Sequence, residues 1–180
     1  MTIFKNKTRN RIGVGNYGWQ NIVEDELNIN GLTEFGYISG YKDAADDLVE
    51  QTLGTELINL YMFPIVFLYR NYLELVLKNI IITKVPKKDL NKYTEKFNHD
   101  LKKTFKVVIK LIKDELSEKD IEKIYSVVSE FHTFDKNSFN FRYYFDKKAN
   151  STLPNVLSVD LIKLREEIDK VDSILYSYYN

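Results

Sequence analysis

Between residues 43 and 178 the apolar positions recur at spacings of three and four, which predicts a succession of amphipathic helices. Ala45, Leu48, Val49 and Thr52 mark one face of a helix that Gly54 can terminate. Thr55 can cap a second helix running to about Thr83, with Pro64 either kinking it or marking its true start. This second segment is apolar nearly all round, as the central helix of a bundle must be. A short helix is expected over 88–97. Asn98 or His99 then opens another, with Leu101, Phe105, Val108 and Ile112 inward and Lys103, Lys106, Lys110 and Lys113 on a different face. Ser117 followed by Asp120 reads as a capping box, leading into Ile121, Ile124, Val128 and Phe131. A last helix over about 159–178 packs through Leu161, Leu164, Ile168, Val171, Leu175 and Tyr178.

Two stretches break the period. Six of the seven glycines fall in the first 40 residues, predicting loops and turns around a short helix near "WQNIVEDEL". That region contains "GVGNYG", a formal G-x-G-x-x-G, but no buried strand precedes it, so a dinucleotide site is not indicated. In "NSFNFRYYFD", Phe139, Phe141, Tyr143 and Phe145 alternate with polar positions or Tyr144, which suggests an extended stretch or a small hairpin. The expected architecture is all-α. One domain spans 1–180, with an irregular segment over 1–42 and a helical bundle over 43–180.

Composition narrows the chemistry. Apolar residues make up 44% and charged residues 29%, the ordinary globular range. The chain has no cysteine, which excludes disulfides, thiolate metal sites and a thiol nucleophile. The N-terminus lacks an apolar core of signal-peptide length, and "LINLYMFPIVFLY" is too short to span a bilayer before Arg70. A soluble, cytoplasmic protein with no membrane partner is the expectation. The net charge is zero but unevenly spread: residues 84–113 hold ten lysines against Asp89, Glu95 and Asp100. The two histidines lie 33 positions apart, offering neither zinc-ligand spacing nor a Ser-His-Asp arrangement, and no metal or cofactor is expected.

The central helix carries an unexpected polar stripe: Arg70, Glu74 and Lys78 fall within one arc, with Asn71 at its edge. Such a stripe is either an internal ion pair, a strip of surface, or a pocket. In the pocket reading, Arg70 and Asn71 receive an anion such as a phosphate while Glu74 orients the guanidinium. His99 and Asp100 stand where a helix begins, a place for capping or for proton transfer beside an anion. Arg142 and Asp146 share one side of the extended segment and can form a loop-pinning salt bridge or add to a site. His132 reads as structural.

"YRNYLELVLK" followed by "HDL" resembles the HEPN superfamily of bacterial helical nucleotide-binding domains, through Glu74, Leu77 and Lys78 and then His99, Asp100 and Leu101. The later Asp135, Ser138, Phe141, Arg142 and Tyr143 are similar to a cluster in bacterial relatives, with Tyr144 where a proline is expected. The resemblance implies an up-and-down bundle that dimerises. It also implies roles in phage defence or toxin systems and, in many members, metal-independent ribonuclease activity from an Arg, a polar residue and a His after four to six intervening residues. Arg70 and Asn71 match the first half of that signature, but Leu75, Val76 and Leu77 stand where the His belongs. After Arg142 the same window holds Lys147, Lys148 and Ala149.

Three readings follow. The first is a non-catalytic module that binds RNA, a nucleotide or a protein partner through Asn71, Glu74, Lys78, Asp100, Lys103, Lys106, Lys110 and Asp146. The second is a divergent endoribonuclease using His99 as base and Arg70 and Arg142 as anion clamps. The third is a structural homodimerisation protein.

Overall fold

The computed structural model describes residues 28–94, 99–153 and 158–179. The chain divides at 36/37 into two units. Of the first, only the opening turns of a helix from Asn28 are described. "GVGNYG" and "WQNIVEDEL" lie outside the described residues.

The described chain is an all-α bundle, in agreement with its periodicity. Its helices are α1 (Asn28–Thr52), α2 (Ile58–Lys84), α3 (Asn91–Thr94), α4 (Leu101–Ile112), α5 (Glu118–Phe134) and α6 (Leu161–Tyr179). Single 3-10 turns follow α2 at Lys87–Asp89 and α4 at Lys113–Glu115. Among the described residues there is no strand, only an isolated bridge between Phe145 and Ser151.

Helix α1 starts well before residue 43, through what the glycine content marked as irregular. Ile38 and Tyr41 extend the face of Ala45, Leu48, Val49 and Thr52 by about two turns, and that burial outweighs the poor propensity of Gly36 and Gly40. Gly54, at φ +73°, ends the helix as expected. Thr55 does not cap α2. Its hydroxyl instead donates to the Thr52 carbonyl at 2.9 Å, and α2 begins after Leu57 with no side-chain cap. Pro64 is interior to α2 rather than its start.

From Ile65 onward α2 is the axis of the bundle, with Ile65, Tyr69, Leu73, Leu77, Ile80 and Ile81 fully buried. The inward stripes of α4, α5 and α6 close around it. Asp100 caps α4, accepting the Lys103 amide at 3.1 Å, one or two residues later than the spacing indicated. Ser117 caps α5 by accepting the Asp120 amide at 3.1 Å, as the box predicted. Tyr69 donates to Asp46 and Tyr72 to Asp172, both at 2.5 Å, tying α2 to α1 and α6.

The path of the chain decides where the polar stripe ends up. The Arg70 guanidinium meets His99 just before α4, and Lys84 at the end of α2 meets Glu115 just after α4. Helix α4 therefore runs parallel to α2, the chain returning through the 3-10 turn and α3. Helix α5 comes back antiparallel, with Tyr125 beside Lys102 and His132 beside Asp100. The start of α4 and the end of α5 thus converge on the middle of α2, at Arg70.

Residues 138–142 form turns rather than an extended stretch, whereas 144–146 pair with 150–152 as the small hairpin that was the alternative, the Asp146 amide donating to the Asn150 carbonyl at 2.9 Å and the Thr152 amide to that of Tyr144 at 3.1 Å. The Asp135 carboxylate gathers the amides of Phe139 and Asn140 at 2.6 and 3.0 Å, and Ser138 takes a left-handed φ of 56° to allow it. Of the alternating positions, Phe139 and Phe141 are half-buried, Phe141 against the core, while Tyr143 and Phe145 are exposed.

Candidate functional site

Arg70 is the largest fully buried side chain, at 0% exposure, and each guanidinium nitrogen has a partner. Nη1 donates to Glu74 Oε2 at 2.7 Å and Nη2 to the His99 carbonyl at 2.6 Å. Nε donates to the Asp135 carbonyl at 3.3 Å and lies 3.2 Å from Asp135 Oδ2. A helix interior accepts such a charge only when it is paired and hydrogen-bonded. One residue on α2 therefore holds the start of α4 and the end of α5. With 0% exposure and all three nitrogens engaged within the protein, Arg70 is not open to a phosphate. This corrects the reading of Arg70 as an anion clamp.

Glu74 is shared. Besides Arg70, it takes Lys78 Nζ at 2.5 Å and His99 Nδ1 at 2.8 Å, both on Oε1. Burial alone would push this carboxyl up, but hydrogen bonds and charge from Lys78 and Arg70 outweigh it and hold the group below its usual 4.5. An ionised carboxylate only accepts, so His99 Nδ1 carries the hydrogen of this bond. The His99 side chain is 55% exposed. It is the part of the network that solvent, or a ligand, can reach.

The other sequence candidates divide. Asn71 is half-buried at the edge of the network. Asp100 is buried as the α4 cap, with His132 Nδ1 3.3 Å from its Oδ1. Arg142 does not join Arg70. Its Nε donates to the Ser138 carbonyl, and its guanidinium lies over the rings of Phe67 and Tyr143 at 5.9 and 5.7 Å. Nor does it pair with Asp146, whose carboxylate instead collects the amides of Lys148 and Asn150 at 2.7 and 2.9 Å. Lys103, Lys106 and Lys110 are exposed on α4. The three residues assigned to catalysis thus do not share one cleft: His99 is open, Arg70 is closed, and Arg142 packs on α2 one turn earlier.

No protein-family profile, curated protein or solved structure matches this chain. What it does must be argued from its geometry. Among the described residues no group of His, Asp and Glu gathers as a metal site, and no helix is long and apolar enough to cross a membrane. A cavity of about 440 Å³ opens between α2, α5 and α6, floored by Val66, Val127, Phe131 and Leu164, on a different side of α5 from Asp100.

Sequence reasoning missed Asp135 as a partner of Arg70. It was seen only as the first residue of the D-x-x-S cluster, yet Asp135 and Ser138 are buried at 0% and 2%. A polar pair closing a turn directly after an amphipathic helix was the available signal.

The network sets a pH dependence. Burial lowers the His132 pKa below its usual 6.5, only partly offset by Asp100, so protonation of His132 opposes the fold. A group depressed in the folded state contributes stability above its unfolded value and loses it as pH falls through the folded one. Stability should therefore be flat above about pH 6.5, decline below it as His132 charges, and fall again below about 4.5 as Glu74 protonates. Urea melts across pH 3–8 measure this, and in His132→Gln the upper step should vanish while the lower one stays.

Proposed function

We propose that the chain is a HEPN-like helical module that binds RNA or a nucleotide without cutting it. The closure of Arg70 carries this reading. A catalytic guanidinium must reach the phosphate as charge develops, and this one is fully buried with each nitrogen held by protein acceptors. The absence of a His in the windows after Arg70 and Arg142 points the same way.

One observation favours the ribonuclease alternative. His99 is exposed, with its tautomer set by a buried carboxylate, which is how a general base is oriented. Incubation of the purified protein with mixed RNA pools in EDTA separates the two. The module reading expects bound RNA that stays intact. Cleavage in EDTA that falls by on the order of 10²-fold in His99→Ala would replace it with a metal-independent enzyme.

A further inference from the structure

We infer that the exposed face of α4, together with Tyr125 of α5, is a platform for single-stranded nucleic acid. The inference rests on the module reading and gives it a place and a ligand form. At about 100° per residue, Lys102, Lys103, Lys106 and Lys110 fall within an arc of about 100°, and Lys113 continues it into the following turn. Helix α4 carries no acidic residue.

Six of the thirteen described lysines outside the arc are held in ion pairs, Lys78 among them by Glu74. Lys42 pairs with Asp46 and Asp169, Lys84 with Glu115, Lys92 with Asp89, and Lys123 and Lys170 with Glu167. In the arc such pairs are fewer. Lys106, Lys110 and Lys113 form no ion pair with any described residue, and Lys103 is 3.8 Å from the capping Asp100. Like charges three and four apart weaken a helix, so the arc is a local cost in a chain whose net charge is zero. A polyanion removes that cost.

Tyr125 decides which polyanion. Its ring is 47% exposed, Phe105 backs it at a centroid distance of 5.9 Å, and the Lys102 ammonium lies 5.6 Å from its centre. An exposed, buttressed ring beside a basic track offers a stacking surface to an unpaired base, whereas a duplex keeps its bases stacked on one another. An acidic protein would use the lysines and leave the ring idle. From Lys102 to Lys113 the track is about 16 Å long, room for about three phosphates. Exposed Asp114 and Glu115 follow the arc, and exposed Glu118 and Glu122 share the Tyr125 side of α5, bounding the platform at that end.

The test uses fluorescence anisotropy with a labelled oligouridylate of about twelve nucleotides, an RNA duplex of equal length, and oligoglutamate. The single strand should bind more tightly than the duplex. Its affinity should fall with salt at a logarithmic slope of about −2, from about three phosphates at about −0.7 each. The double variant Lys106→Glu, Lys110→Glu should weaken binding by on the order of ten-fold or more and flatten that slope. Tyr125→Ala should weaken the single strand about ten-fold and spare the duplex, and Tyr125→Phe should restore it. Equal binding of the two RNAs, a neutral Tyr125→Ala, or equally tight oligoglutamate would overturn the platform and leave the module reading standing. Intact, folded protein that binds neither RNA at low salt would overturn both.

Discussion

Replacing Arg70 by alanine should lower the unfolding free energy by about 3–5 kcal/mol in a urea melt. The loss does not come from the pair energy alone. Glu74 and Asp135 are almost wholly buried, and both would be left with charge that Arg70 had answered. The His99 and Asp135 carbonyls would also lose a donor. Glu74 keeps Lys78 and His99, so Asp135, whose Oδ2 has no hydrogen-bond partner even with Arg70 present, becomes the weaker point. A surface ion pair would behave differently, with a cost below about 1 kcal/mol. A near-neutral Arg70→Ala would therefore contradict the burial itself. Arg70→Lys should recover only part of the loss, because an ammonium cannot reach α4 and the end of α5 with one planar fork.

Asp135→Ala is the second large effect, expected at about 3 kcal/mol, and it should differ in kind. The carboxylate both faces Arg70 and closes the turn through the amides of Phe139 and Asn140. Its removal leaves a buried guanidinium short of one counter-charge and two amides without an acceptor. Asp135→Asn keeps an acceptor for the amides while losing the charge, so it should retain the turn but not the full stability. Limited proteolysis distinguishes the two. The alanine variant should be cut faster between residues 136 and 150 under native conditions, and the asparagine variant should resist as wild type does. Equal cutting of both variants would mean that the turn does not depend on this carboxylate.

The helices were legible wherever burial and spacing agree, as in α4, α5 and α6, since a repeat of three and four already is the packing face. The two misreadings share a cause. In α1, glycine propensity argued against a helix that Ile38 and Tyr41 hold in place through tertiary contacts. At 138–142, alternation argued for an extended chain, whereas a buried carboxylate imposed turns, and only 144–146 kept the small hairpin. Both outcomes depend on partners far along the chain. The polar stripe was legible as a stripe, because one helix sets its angular positions. Whether it faced water or protein was not, since that depends on α4 running parallel to α2 and on the turn after α5.

That arrangement bears on how the fold is reached. Apart from Glu74 one turn on, the acceptors of Arg70 lie 29 and 65 residues away in sequence, so the guanidinium has only that partner until α4 has returned alongside α2 and the chain past α5 has docked. Loop closure over such separations comes before the contacts that reward it. If Arg70 is satisfied only after the main barrier, its substitution leaves the rate of folding nearly untouched and appears as faster unfolding. The buried charge would then act as a latch on the finished bundle, setting how long the native state lasts more than how quickly it forms.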